Sequence, residues 1–90
     1  MKADQKLILN RLNRIRGQID GIIKMVEDDQ YCLDISNQIL AVNSALKSTN
    51  REIISAHLQS CLTDTFYSDN KKEIEQKIEE IEKLIIKLGK

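Results

Sequence analysis

The sequence predicts an all-α fold, and three observations support this prediction. The 90 residues contain no Pro and only three Gly, so few positions interrupt a helix. Aliphatic residues recur every three or four positions along most of the chain. Two short polar segments divide it into three parts. The expected helices cover about residues 5–27, 31–67 and 71–88.

The first and third helices each carry an apolar seam with heptad-like spacing, which predicts packing against other helices. In the first helix the seam is Ile8, Leu12, Ile15, Ile19, Ile22 and Val26. In the third it is Ile74, Ile78, Ile81, Ile85 and Leu88. We expect Asp28 or Asp29 to cap the second helix, because Asp is a preferred N-cap residue. Residues 1–90 are expected to form one domain, which gains a larger core by association with copies of itself.

The second helix carries both cysteines and the only histidine of the chain. His57 and Cys61 lie four residues apart on one face, whereas Cys32 and Cys61 would be roughly 44 Å apart on a straight helix. One chain therefore cannot bring the three groups together. An antiparallel copy, related by a two-fold axis near Leu46 or Lys47, would place Cys32 beside the partner chain's histidine and second cysteine.

Two thiolates and one imidazole form a soft set of three ligands, which favours Cu(I). A closed zinc site would need a fourth protein ligand, so zinc is the weaker alternative. A thiol-based redox sensor that uses Cys32 and Cys61 is the main competitor, although it leaves His57 without a necessary role. Taken one at a time, a helical Cys or His is most often a plain structural residue.

The charge pattern excludes some classes of function and leaves others open. The net charge is zero, but the first sixteen residues are basic, and this pattern is compatible with DNA binding or with a solvated helix face. No segment approaches the roughly 20 apolar residues that span a bilayer, so we expect a cytosolic protein and no membrane partner. We expect no enzymatic activity, because no nucleophile–base pair lies beside a substrate-binding loop.

The longest motif of the first helix is Arg11-Leu12-Asn13-Arg14-Ile15-Arg16-Gly17-Gln18-Ile19-Asp20-Gly21-Ile22. It is followed by Met25-Val26-Glu27, Cys32, Asp34-Ile35, Gln38-Ile39 and Ala41. Together these residues resemble the copper-sensitive operon repressor (CsoR) family over nearly the whole chain. The resemblance implies a three-helix protomer, an antiparallel dimer with a four-helix bundle and a flat tetramer made of two dimers.

The resemblance also implies roles for individual residues. Cys32, His57 and Cys61 match the copper-sensing branch, and Tyr31 matches a tyrosine that supports the site. The family has a Glu in the third helix that hydrogen-bonds to the ligand His. The directly corresponding position is Lys77, and a shift of two residues gives Glu75, the expected partner, or Glu79. The family's basic DNA-contacting residue of the first helix matches Arg11, and Lys47 and Arg51 are candidates for a basic position in the second helix. Together with the other basic residues of the first helix, this gives Arg11, Arg14, Arg16 and Lys47 as the residues expected to contact DNA.

The sequence therefore predicts a Cu(I)-responsive repressor that binds operator DNA as a metal-free homotetramer and releases it when the metal binds. It would control copper homeostasis genes. Two alternatives remain open at this point. One is a repressor of the same family that senses persulfide or oxidants through its thiols, and the other is a helical copper-binding module without a role on DNA.

Overall fold

The computed structural model describes residues 1–66 and 70–88, and this part of the chain forms three helices and no strand. The all-α prediction is therefore confirmed. The helices are α1 (Gln5–Glu27), α2 (Cys32–Phe66) and α3 (Lys71–Leu88). Helix α2 begins one residue after its predicted start. Its predicted end at Tyr67 lies outside the described residues, as do Ser68 and Asp69 of the second break.

Backbone hydrogen bonds of the segment between α1 and α2 end the first helix and start the second. The N–H of Asp28 donates to the carbonyl of Lys24 (2.9 Å) and so caps the end of α1. Asp29 follows with a φ of 52°, a left-handed conformation that Asp tolerates better than most residues. The carbonyl of Tyr31 then accepts the first hydrogen bonds of α2. The prediction that Asp28 or Asp29 caps α2 is wrong, because both belong to the end of α1.

Side-chain caps fix the start of the other two helices. The carboxylate of Asp4 accepts from the N–H groups of Lys6 (3.0 Å) and Leu7 (3.3 Å) at the start of α1. Asn70 uses its side-chain oxygen in the same way at the start of α3. Such caps satisfy N–H groups that have no partner within the helix.

The core of a single chain is small and lies between α1 and α2. Ile8 and Ile15 of α1 and Val42 of α2 are buried, together with Ala3. The buried hydroxyl of Thr49 donates to the carbonyl of Ala45 (2.9 Å), so it adds no unsatisfied group to the core. The extents of 60 × 28 × 12 Å describe a nearly single layer of helices, since one helix is about 10–12 Å across.

A single layer leaves large apolar surfaces open. Half of the α1 seam faces α2, whereas Leu12, Ile19 and Val26 are 40–59% exposed. Helix α3 has no buried residue, and its predicted seam is split in the same way, since Ile78 and Ile85 are exposed. None of the described helices is both long and apolar enough to span a membrane.

Candidate metal centre

The second half of α2 holds two of the three predicted ligands in direct contact. The Sγ of Cys61 lies 3.4 Å from the Nε2 of His57, as their spacing of four residues predicts. Both side chains are partly buried. Cys32 is the first residue of α2 and is exposed, about 38 Å along the helix from His57 at 1.5 Å per residue. The structure thus brings His57 and Cys61 together within one chain and leaves Cys32 at the opposite end.

All three predicted ligands nevertheless lie on one face of α2. Cys32, Ile39, Leu46, His57 and Cys61 are separated by seven, seven, eleven and four residues, intervals close to whole numbers of helical turns. We call these five residues the ligand face. Ile39 is 52% exposed and Leu46 is 42% exposed, so the described part of the chain leaves the middle of this face largely uncovered.

Helix α3 supplies a carboxylate that the sequence analysis did not identify. Oε1 of Glu80 lies 3.0 Å from Nε2 of His57, and both side chains are a little under half exposed. Oε2 of Glu80 lies 3.5 Å from Nζ of Lys77, one helical turn earlier. The expected partner Glu75 is exposed, and α3 does not direct it towards His57; Glu79 forms its ion pair with Lys83 instead.

The spacing of three residues between Lys77 and Glu80 is the feature of the sequence from which Glu80 could have been predicted. Three residues along a helix return to nearly the same face, whereas shifts of two residues rotate the side chain away from it. A search for the carboxylate one turn after the Lys77 position would have reached Glu80.

The electrostatics confirm that these groups form one cluster. The hydrogen bond with His57 and the nearby charge of Lys77 lower the pKa of Glu80. The Cys61 sulfur, followed by Glu80, raises the pKa of Lys77. The ion pair between Lys77 and Glu80 is thus part of the same group of side chains as His57.

The surroundings of the cluster are apolar on one side. His57 and Glu80 line a cavity of about 440 Å³ between the N-terminal residues, α2 and α3, with Ile53, Ile54 and Leu84 in its wall. Among the described residues, no three His, Cys, Asp or Glu side chains of one chain form a group that could hold a metal ion. Cys61 and Glu80 both contact Nε2 of His57, so their contacts with the ring leave Nδ1 without a ligand group of the cluster beside it.

Tyr31 precedes the exposed cysteine at the other end of the ligand face. Its side chain is 64% exposed, and its carbonyl starts α2 as described above. Within one chain it lies far from His57, just as Cys32 does. Its expected supporting role therefore requires the same antiparallel copy.

The four basic residues expected to contact DNA do not share one surface. Arg11 and Arg14 line one groove of about 420 Å³ between α1 and α2. Arg11 is partly buried, and its Nη1 lies 3.5 Å from the hydroxyl oxygen of Ser48. Arg16 is exposed about 140° around α1 from Arg11, at 3.6 residues per turn. Lys47 is exposed beside a different groove, next to Leu46.

Comparison with known proteins places these features in a family. The model of a family described as metal-sensitive transcriptional repressors matches residues 4–87. The chain belongs to this family. Its members are repressors rather than enzymes, in agreement with the absence of enzymatic activity expected from the sequence.

The curated relatives of the chain include proteins named as copper sensors. The copper-sensing transcriptional repressor CsoR of Mycobacterium tuberculosis (strain ATCC 25618 / H37Rv) is 43% identical over 63 residues. That match covers 70% of this chain but only 53% of the relative, so the chain spans about half the length of the curated relatives it matches. The resemblance to the CsoR family seen in the sequence is thereby confirmed.

Two solved structures of the family share the fold. The copper-sensing repressor CsoR with Cu(I) from Geobacillus thermodenitrificans NG80-2 matches with a TM-score of 0.81 and 34% identity, over 94% of this chain and 85% of that one. The nickel-responsive transcriptional regulator InrS matches with a TM-score of 0.84 and 30% identity, over 98% and 96%. Since structures named for two different metals fit equally well, the fold does not select the metal, and the ligand set must do so.

Proposed function

We propose that this member of the family is a Cu(I)-responsive repressor that binds operator DNA without metal and releases it when Cu(I) binds. One observation carries the proposal. The two thiols and the imidazole share the ligand face, and the apolar residues between them are open to a partner.

An antiparallel copy of α2 would complete the centre. Pairing the ligand faces head to tail brings Cys32 of each chain to His57 and Cys61 of the other, so that a dimer holds two centres. The same pairing covers Ile39 and Leu46, and the burial of their apolar surface favours it. Further association of two dimers into a tetramer would cover the exposed residues of α1 and α3.

The donor set fits Cu(I). Two thiolates and one imidazole are soft ligands, and this ion accepts a low coordination number. The Nε2–H of His57 donates to the Glu80 carboxylate, which leaves Nδ1 with its lone pair for a metal. Because the sulfur of Cys61 lies beside Nε2, the ring would have to turn before one metal could meet both Nδ1 and Cys61. Glu80 acts here as a positioning residue, because it fixes the tautomer and the orientation of the ring.

Operator binding is assigned to the basic residues of α1 and α2. Arg11 and Arg14 would contact one stretch of phosphates, while Arg16 and Lys47 would require another stretch or another subunit. Contacts of this kind are mostly electrostatic, so affinity should fall steeply with salt. If metal weakens DNA binding, DNA must weaken metal binding by the same factor. A repressor of this kind acts in the cytoplasm, where its operator lies.

The deciding experiment tests whether the centre is shared. We would prepare Cys32→Ala and Cys61→Ala chains, measure anaerobic Cu(I) binding against a competing chelator, and then mix the two chains. Each variant alone should lose tight binding, whereas the mixed dimer should regain one of its two centres. X-ray absorption of the wild-type complex should show two sulfurs and one nitrogen. The shared centre is refuted if mixing restores nothing, or if either variant alone still binds tightly.

Release from DNA requires a separate assay. The protein should retard its own upstream DNA in a gel at low salt, and stoichiometric Cu(I) should abolish the shift. A protein that binds Cu(I) tightly but retards no DNA would be a copper-binding module instead.

A thiol sensor is the second candidate, because Cys32 and Cys61 are both free thiols and Cys32 is exposed. Replacing His57 by Ala separates the two candidates. A Cu(I) sensor should lose metal-driven release from DNA, whereas a thiol sensor should keep its response to persulfide or oxidant.

A further inference from the structure

Lys77 is the cationic residue of the cluster at the candidate metal centre. Its side chain is about one-third exposed, and its ammonium group lies 3.5 Å from Oε2 of Glu80. The other oxygen of this carboxylate contacts His57 at 3.0 Å. Both oxygens of Glu80 are therefore engaged, one by the imidazole and one by the lysine.

This arrangement keeps a hard donor away from the metal. Zinc and other divalent ions favour four or more ligands and accept carboxylate oxygen readily, whereas Cu(I) is satisfied by soft ligands at low coordination number. Glu80 is the carboxylate next to His57, and the ion pair with Lys77 holds its second oxygen. Glu80 would have to leave Nε2 of His57 to become a ligand of a metal on Nδ1, and the ion pair with Lys77 opposes that movement.

The charge of Lys77 acts in the same direction. A fixed positive charge repels a metal ion in proportion to the charge of the ion, so the penalty for a divalent ion is twice that for a monovalent ion. Its ion pair with Glu80, which contacts His57, places this charge beside one of the proposed ligands. Lys72 of the same helix is exposed and lies eight residues before Glu80.

We infer that Lys77 is a metal-selectivity residue, which disfavours divalent ions such as Zn(II) relative to Cu(I) at the centre formed by His57, Cys61 and the partner chain's first cysteine. The inference rests on the proposed function for the identity of the ligands. Lys77 would influence which metal binds without being a ligand itself.

The test compares Lys77→Gln with Lys72→Gln, two changes that remove the same charge from the same helix. Anaerobic chelator competition would give the affinities for Cu(I) and Zn(II) separately. We expect Lys77→Gln to strengthen Zn(II) binding by about tenfold or more, and Cu(I) binding by clearly less, as expected for a unit charge near a protein surface. Lys72→Gln should leave the ratio of the two affinities unchanged.

A spectroscopic measurement tests the role of the carboxylate. X-ray absorption at the zinc edge should show an additional oxygen ligand in Lys77→Gln, and this ligand should be lost when Glu80→Gln is added. Selectivity by Lys77 is refuted if both metals shift equally, or if the control variant shifts the ratio as much. Failure of the wild-type protein to bind Cu(I) would refute the proposed function instead, so the two failures are distinguishable.

Discussion

Truncation of Ile39 tests the antiparallel pairing on which the shared centre depends. Ile39 lies in the middle of the ligand face and is 52% exposed in the single chain. Complete burial of an Ile side chain contributes about 1.5–3 kcal/mol. Burial of the exposed half therefore contributes about 0.8–1.6 kcal/mol per chain, or about 1.6–3 kcal/mol for the two chains of a dimer.

This energy sets the expected change in the dimerisation constant. Since about 1.4 kcal/mol corresponds to a factor of ten, Ile39→Ala should weaken the dimer by between about tenfold and one hundredfold. Sedimentation velocity over a range of concentrations, on reduced metal-free protein, would give the monomer–dimer constant. The same variant should weaken Cu(I) binding at low protein concentration, because the centre requires both chains.

Leu40 provides a matched control for this experiment. It is 58% exposed and lies about 100° around α2 from Ile39, at 3.6 residues per turn, and thus away from the ligand face. Leu40→Ala should leave the monomer–dimer constant within about threefold of the wild type. If Ile39→Ala dimerises as tightly as the wild type, or if only Leu40→Ala weakens the dimer, the proposed pairing is incorrect.

Three further predictions address the core, the cluster and the DNA contacts. Ile15 is 5% exposed, so Ile15→Ala should lower the free energy of unfolding by about 2–5 kcal/mol in urea denaturation. The bond with His57 lowers the pKa of Glu80 below 4.5, so its stabilisation should be complete above pH 4.5 and lost as the pH falls further. Acid titration followed by circular dichroism should show this loss, and Glu80→Gln should abolish it. Arg14→Gln should reduce the slope of log affinity against log salt by about one, measured by fluorescence anisotropy on operator DNA.

The sequence was sufficient to predict the helices and the separation of the ligands because both follow from spacing along one chain. Periodicity predicted the observed ends of α1 and α3, and the separation of 25 positions between Cys32 and His57 excluded a direct contact between them within one protomer. The sequence did not predict that Glu80 is the hydrogen-bond partner of His57. Which carboxylate meets the ring depends on how α3 is rotated about its axis, and two overlapping apolar seams make that rotation ambiguous.

The observed rotation directs the half-buried residues Ile74, Lys77, Ile81 and Leu84 towards α2 and leaves Ile78 exposed. A lysine thus occupies a position of the inward seam, which a purely hydrophobic pattern would not select. The position accommodates a lysine because Glu80 supplies the negative charge that a half-buried ammonium requires. Local polar chemistry, and not apolar periodicity, decides the packing of α3 at this point.

This packing also suggests how the centre communicates with the rest of the molecule. No residue of α3 is buried, and among the described residues α3 contacts α2 but not α1. An element held so weakly changes position at small cost, which is the property that a ligand-driven shift of populations requires. His57 links the two helices through Glu80, so any movement of its ring towards a metal alters the contact that holds α3. If DNA binds Arg11 and Arg14 as proposed, coupling to it must pass along α2 to their groove, since among the described residues α1 has no direct contact with α3.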